Sequence, residues 1–150
     1  MGRKNILFIM CDQLRFDYLG CAGHPSIKTP NIDALAKRGV RFSNVYCQSP
    51  TCGPSRMSTY TGRYVSAHGS HSNHAALRIG EKNIGHHLNP LGLRTVLVGK
   101  THMVADKEGM ERLGVEADSV IGVHHSQAGF EAYERDDGVD PDSMVRAGLA

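Results

Sequence analysis

The run Asn5-Ile-Leu-Phe-Ile-Met-Cys11 is almost unbroken apolar sequence of strand length. A strand with one wet face alternates apolar and polar residues. A continuous run therefore predicts a strand buried on both faces, the pattern of a parallel sheet covered by helices. It ends in Asp12-Gln13, and a second compact run, Arg94 to Gly99, predicts another buried strand stopping just before Lys100. Between them, Thr29 as N-cap, Pro30 at the first helical position, Ile32, Leu35 and Ala36 on one face, Lys37 and Arg38 in the last turn and Gly39 as terminator predict a helix. Val40 to Tyr46 carries the β-branched and aromatic residues of a further strand. A second helix is expected from Pro54 to about Thr61, closed near Gly62. Strands alternating with helices place the chain in the α/β class.

The rest is less patterned. About 20 residues after Gly62 are rich in Gly, Ser, His and Asn and read as loop. Asn83 to Gly92 has helical character weakened by Gly85 and Pro90. Asp118 to His124 reads as a strand, and the acidic, turn-rich Tyr133 to Asp142 as surface loop.

Composition removes several classes of function. Lys and Arg number 17 against 15 Asp and Glu, a net charge of +2 that makes no basic field for nucleic acid. The first apolar run is too short, and too soon ended by Asp12, for a signal peptide or a membrane span, so the expected location is cytoplasmic. Cys11, Cys21, Cys47 and Cys52 lack the paired spacing of zinc sites and are expected as free thiols unless one is chemically special.

In open parallel sheets ligands gather past the carboxyl ends of strands, where Asp12 and Lys100 both fall. Asp12 offers a hard oxygen to a divalent cation and Gln13 a neutral carbonyl beside it; equally, a strand-end aspartate caps a turn. Cys52 stands at a helix start, where unpaired N–H groups and the helix dipole favour an anion and should make a thiol acidic. Arg56, one turn on, can present its donors to a tetrahedral oxyanion on the same side. The alternative is a small buried cysteine and a surface arginine. The spacing is too short for the cysteine-phosphatase loop. Lys100 and His102, in "GKTH", add a cation and a proton donor, or are simply polar loop positions. For His68, His71 and His74 solvated or supporting roles are favoured over metal ligation, and for His86 and His87 structural ones.

Taken together, "NILFIMCDQLRFDYLG", "KTPNIDALAKRGVRFSNVYCQSPTCGPSRMSTYTGRY" and "GLRTVLVGKTH" resemble, in order and spacing, the N-terminal portion of a type I sulfatase of the alkaline phosphatase superfamily. The resemblance covers at least Lys4 to His102, and the C-x-P-S-R motif followed by T-G-R is highly specific. It implies a mixed, largely parallel sheet flanked by helices. Residues 1–150 would be the N-terminal part of a catalytic domain, truncated, with the rest of that domain and a C-terminal subdomain absent.

The resemblance also implies chemistry. Cys52 would be converted by a maturation enzyme to formylglycine, whose hydrated diol is the nucleophile. One hydroxyl attacks sulfur and displaces the alcohol; the second then loses its proton and expels sulfate as the aldehyde re-forms. Asp12, Gln13 and the modified Cys52 would hold one divalent cation, calcium or manganese. Arg56 would support the modified residue and the metal site. Lys100 would bind the transferring oxyanion, His102 would bind or orient the modified residue or substrate, and Asn73 would reach the same pocket. Asp12-Gln13, where many sulfatases have two aspartates, is similar to choline-sulfatase-like enzymes and phosphonate monoester hydrolases. Expected partners are therefore a small sulfate ester, or a phosphonate or phosphate ester, with neither nucleic acid nor membrane and with self-association open. Three readings follow: a sulfuric ester hydrolase, a phosphonate monoester or phosphodiester hydrolase, and a non-catalytic fragment. The last rests on the family's second Asp-His or Asp-Asn metal pair, which has no equivalent before Ala150.

Overall fold

A computed structural model of the chain describes residues 5–116 and 129–134. The backbone divides into two compact units, residues 1–46 and 47–150.

Among its described residues the first unit holds one helix, α1, Pro30–Arg38, preceded by a short 3-10 turn at Gly20–Ala22. Its predicted signals fall in place: Thr29 is the N-cap, Pro30 opens the helix, and Lys37 and Arg38 lie in the last turn. Two details differ. The Thr29 hydroxyl does not cap its own helix; it accepts from Gly20 N at 2.9 Å and donates to Asp33 Oδ1 at 2.8 Å. Asp33 Oδ1 also accepts from Cys21 N at 2.7 Å, so the pair stitches the 3-10 turn onto α1. The Thr29 hydroxyl, foremost, and the Cys21 amide hold the Asp33 carboxyl below its ordinary pKa. Gly39 ends the helix in an extended conformation, φ −118°, and not in the left-handed one.

Neither predicted strand of this unit forms. Asn5–Cys11 and Val40–Tyr46 have no ladder among the described residues, and none of the described residues 5–46 is buried. Ile6, Leu7, Phe8 and Ile9 are 76%, 84%, 68% and 71% exposed, the opposite of a strand covered on both faces. The physical reason is that strand character is completed by a neighbour: without ladder partners an apolar run stays extended chain however strong its β-propensity.

The second unit contains the core. Its helices are α2 (Cys52–Thr61), α3 (Val65–His68), α4 (Ile84–Leu88) and α5 (Lys107–Arg112), and its strands are β1 (Val96–Val98) and β2 (Glu131–Glu134). Among the described residues its buried apolar side chains are Met57, Leu97, Met103 and Met110. The strands pair in parallel, Val96 opposite Glu131 and Leu97 opposite Ala132, with a bulge before Val98 meets Glu134. Arg94 closes the register with an exposed ion pair to Glu131, Nε to Oε2 at 2.5 Å. The parallel pairing agrees with the α/β expectation; among the described residues the sheet has two strands and not the larger set the sequence suggests.

Several boundaries move. The second helix begins at Cys52, placing Pro54 third; the first turn's N–H groups lack intrahelical acceptors, so proline costs no bond there. Gly62 ends it in the left-handed conformation, φ 68°, donating to Ser58 O at 2.8 Å. The predicted loop contains the single turn α3.

Asn83–Gly92 divides into α4 and a 3-10 turn at Asn89–Leu91, with Asn83 and His86 forming a capping box. Gly85 has a positive reason to be there: a Cβ on it would collide with the carbonyl of Gly129, which also accepts from Asn89 Nδ2 at 2.9 Å. Helix α5 carries too little apolar periodicity to be foreseen and is fixed by Asp106, whose carboxylate accepts from Gly109 N at 3.0 Å and from Ile79 N at 3.0 Å. Tyr133 and Glu134, expected in loop, belong to β2. The predicted strand Asp118–His124 and residues 135–142 lie outside the described residues. No helix among the described residues is long and apolar enough to cross a membrane.

Candidate active site at the start of α2

Thr51 is extended, φ −95° and ψ 139°, and α2 begins at Cys52, which is half-buried. At this end Thr51 makes no side-chain cap, and Pro54 has no N–H to satisfy. The second residue, Gly53, does have one, and Asn73 Oδ1 accepts it at 2.8 Å. A cap that local sequence normally supplies thus comes from 20 positions away. Gly53 permits the approach: a Cβ there would lie 3.1 Å from both Asn73 Cα and Asn73 Oδ1.

One turn further, Arg56 is buried at 6% exposure and donates from Nη1 to the backbone carbonyl of Lys100 at 2.6 Å. A guanidinium is costly to bury without acceptors, so this contact anchors α2 to the segment leaving β1. It corrects the alternative in which Arg56 is a surface arginine. Thr101, next along, is fully buried, and its Oγ1 accepts from Met103 N at 3.2 Å. Lys100 and His102 are half-buried on either side of it.

A buried polar network not anticipated as such lies behind the same helix. His68 is 1% exposed, Ser58 4% and Ser70 1%. Ser70 N donates to His68 Nδ1 at 3.1 Å, so the neutral ring carries its proton on Nε2 and gives it to Ser58 Oγ at 2.9 Å. Burial, first, holds the imidazole below the ordinary histidine pKa; the charge of Glu81 works against this and that of Arg63 with it. Arg63 and Glu81 are themselves ion-paired. His68 is therefore a buried supporting residue, while His71 and His74 are exposed. The signal that could have found it is its place directly before Gly69, which is left-handed at φ 79° and ends α3.

Asp12 and Gln13 lie in the first unit, exposed, in a turn directly after the apolar run. Among the described residues Gln13, φ 56°, and His102, φ 54°, are the non-glycine residues in the left-handed region. Both were singled out from the sequence, and such backbone conformations concentrate where function fixes a side chain. The oxygens of Asp12 and Gln13 suit a hard divalent cation. The described residues contain no cluster of three or more His, Cys, Asp or Glu able to hold a metal. All four cysteines are free thiols.

The structure brings together Cys52, Arg56, Asn73 and the Lys100 backbone through the contacts at α2. The chain superposes on phosphonate monoester hydrolase from Silicibacter pomeroyi with a TM-score of 0.76 and 28% identity, covering 99% of this chain and 29% of that one. Such structural neighbours are alkaline phosphatase superfamily hydrolases, in agreement with the expected α/β class. The sulfatase family model matches residues 4–142, and the chain belongs to the sulfatase family. It is 39% identical over 102 residues to an ulvan-active sulfatase of Formosa agariphila, which covers 67% of this chain and 20% of that protein. It is also 39% identical over 103 residues to choline-sulfatase of Rhizobium meliloti, covering 69% and 20%. The chain thus spans about a fifth of the length of these curated relatives.

Proposed function

We propose that the protein hydrolyses sulfate esters through a formylglycine made from Cys52, with a divalent cation held in part by Asp12 and Gln13. The observation that carries this reading is the placement of Cys52 in the first turn of a helix whose end is capped by Asn73 and whose next turn is anchored by buried Arg56. Sulfatase family membership and the two sulfatase relatives support it.

The roles divide among these residues. The helix start offers backbone dipoles to an anion at Cys52. Asn73 accepts from Gly53 through Oδ1, leaving Nδ2 as the end able to donate to an ester oxygen. Lys100 supplies positive charge for the transferring group, and Arg56, through the Lys100 carbonyl, holds the segment that carries it. His102 orients the modified residue or the substrate. A bound calcium or manganese would stabilise negative charge developing on the transferred group. A cytoplasmic location and a separate maturation enzyme belong to this proposal.

A second reading, phosphonate monoester hydrolysis, is favoured by Asp12-Gln13 and by the similarity to the Silicibacter pomeroyi hydrolase. The deciding experiment co-expresses the protein with a formylglycine-generating enzyme, examines the Cys52 peptide by mass spectrometry, and compares turnover of an aryl sulfate with that of an aryl phosphonate monoester. An aldehyde at position 52 with preferred sulfate turnover is expected. A thiol that persists at full maturation would overturn both readings, and preferred phosphonate turnover the first alone. A matured chain that turns over neither would leave it the non-catalytic fragment of the third reading.

A further inference from the structure

Asn73 reaches Gly53 from a loop with no regular structure of its own, and its position has an identifiable source. Ser58, on α2, receives the His68 Nε2 proton; His68 Nδ1 receives the Ser70 amide; Ser70 Oγ donates to Ala75 O at 2.6 Å and pinches the loop on either side of Asn73. Ala75 N returns to Ser72 O at 3.2 Å within that pinch. The path leaves α2 at Ser58 and re-enters it at Gly53, forming a closed circuit of hydrogen bonds around one helix end. His68 and Ser70 are each 1% exposed, so water does not compete for these bonds.

We propose that His68 and Ser70 are positioning residues for Cys52: by fixing the shape of the 70–75 loop through His68 Nδ1 and Ser70 Oγ they hold Asn73 where its Oδ1 caps Gly53 and its amide donor serves an oxyanion at Cys52. The inference rests on the reading of Cys52 as the reacting residue. Neither side chain touches the substrate. Each acts through Asn73, and the ring nitrogen that matters is Nδ1, because it fixes Ser70. The Nε2 contact ties the ring to α2 but does not by itself shape the loop.

The Gly53 amide tests this directly. At the second position of α2 it has no intrahelical acceptor, so its protection from hydrogen exchange reports the Asn73 bond. Three variants are compared with the unaltered chain by exchange-resolved NMR: His68→Asn, whose Oδ1 replaces Nδ1; His68→Gln, whose amide replaces Nε2 alone; and Ser70→Ala. Loss of one such bond should raise Gly53 exchange by about five- to tenfold in His68→Gln and Ser70→Ala. His68→Asn should stay near the original rate, and the Gly62 amide at the far end of α2 should be unchanged in all three. Alkylation of the unmodified Cys52 thiol should change in the same order. Equal Gly53 rates in the Asn and Gln variants, or equal acceleration at Gly62 and Gly53, would reduce His68 to a packing residue and overturn the proposal. If a His68 variant does not fold, Ser70→Ala decides alone, and unaltered Gly53 exchange there overturns it. None of these measurements needs turnover, so a failure of the sulfatase reading and a failure of this one are separate results.

Discussion

Arg56 Nη1 donates to the carbonyl of Lys100 across 44 positions of sequence, at 2.6 Å, joining the helix that begins at Cys52 to the chain leaving β1. A buried cation is thereby spent on backbone geometry. Lys100 and His102 follow the sheet edge, so their placement relative to α2 depends on this bond.

Arg56→Ala should destabilise the second unit by about 2 kcal/mol, because the change removes a buried charge-assisted hydrogen bond. Arg41→Ala, at an exposed position, should change stability by less than about 0.5 kcal/mol. Urea midpoints for the two variants check this, and equal shifts would contradict the anchoring role. Under the proposed function, Arg56→Ala should also lose most of the turnover of the matured protein.

Gly85→Ala should destabilise. Helix propensity alone predicts a gain of about 1 kcal/mol from alanine. At position 85, however, the added methyl meets the Gly129 carbonyl, a backbone group that cannot turn aside. A lower melting temperature is the expected result, and a higher one would show that the approach of residue 129 to α4 is not maintained in solution.

His68 ties stability to pH. Its folded pKa lies below the ordinary 6.5, so between the two values the unfolded chain binds the extra proton. The stabilisation is complete above about 6.5 and is lost as pH falls through the folded pKa. Protonation would also put a donor on Nδ1 facing the Ser70 amide. Denaturation midpoints from pH 8 down to pH 5 should fall more steeply for the unaltered chain than for His68→Gln, and parallel slopes would contradict this.

Asp106→Ala should cost about 1–3 kcal/mol by removing the α5 cap and leaving the Ile79 amide without its acceptor. The Ile79 bond, first, and then the Gly109 bond hold the carboxyl below its ordinary 3.8. Its contribution is therefore present above that value and fades as pH falls below it. Asp106→Asn, which keeps an acceptor oxygen, should recover part of the loss at neutral pH and flatten the acid limb of a pH titration of stability.

Adjacent residues alone encode part of this protein. Thr29, Pro30 and the basic last turn predict α1 because capping and propensity act within a few positions. Gly62 marks the end of α2 because a left-handed residue is needed there. "TCGPSR" and "GKTH" nominate Cys52, Arg56, Lys100 and His102 by spacing. Which polar groups meet emerges from folding alone: that Asn73 caps Gly53, that Arg56 is buried against Lys100 O, and that His68 is a neutral strut between Ser58 and Ser70. Folding also decided which apolar runs become strands. Val96–Val98 has a parallel partner in Glu131–Glu134, whereas Asn5–Cys11 has none among the described residues and stays exposed. The division has one physical cause. Caps and turns are satisfied by neighbours in sequence, while a strand or a buried charge is satisfied only by a group that folding brings from far along the chain.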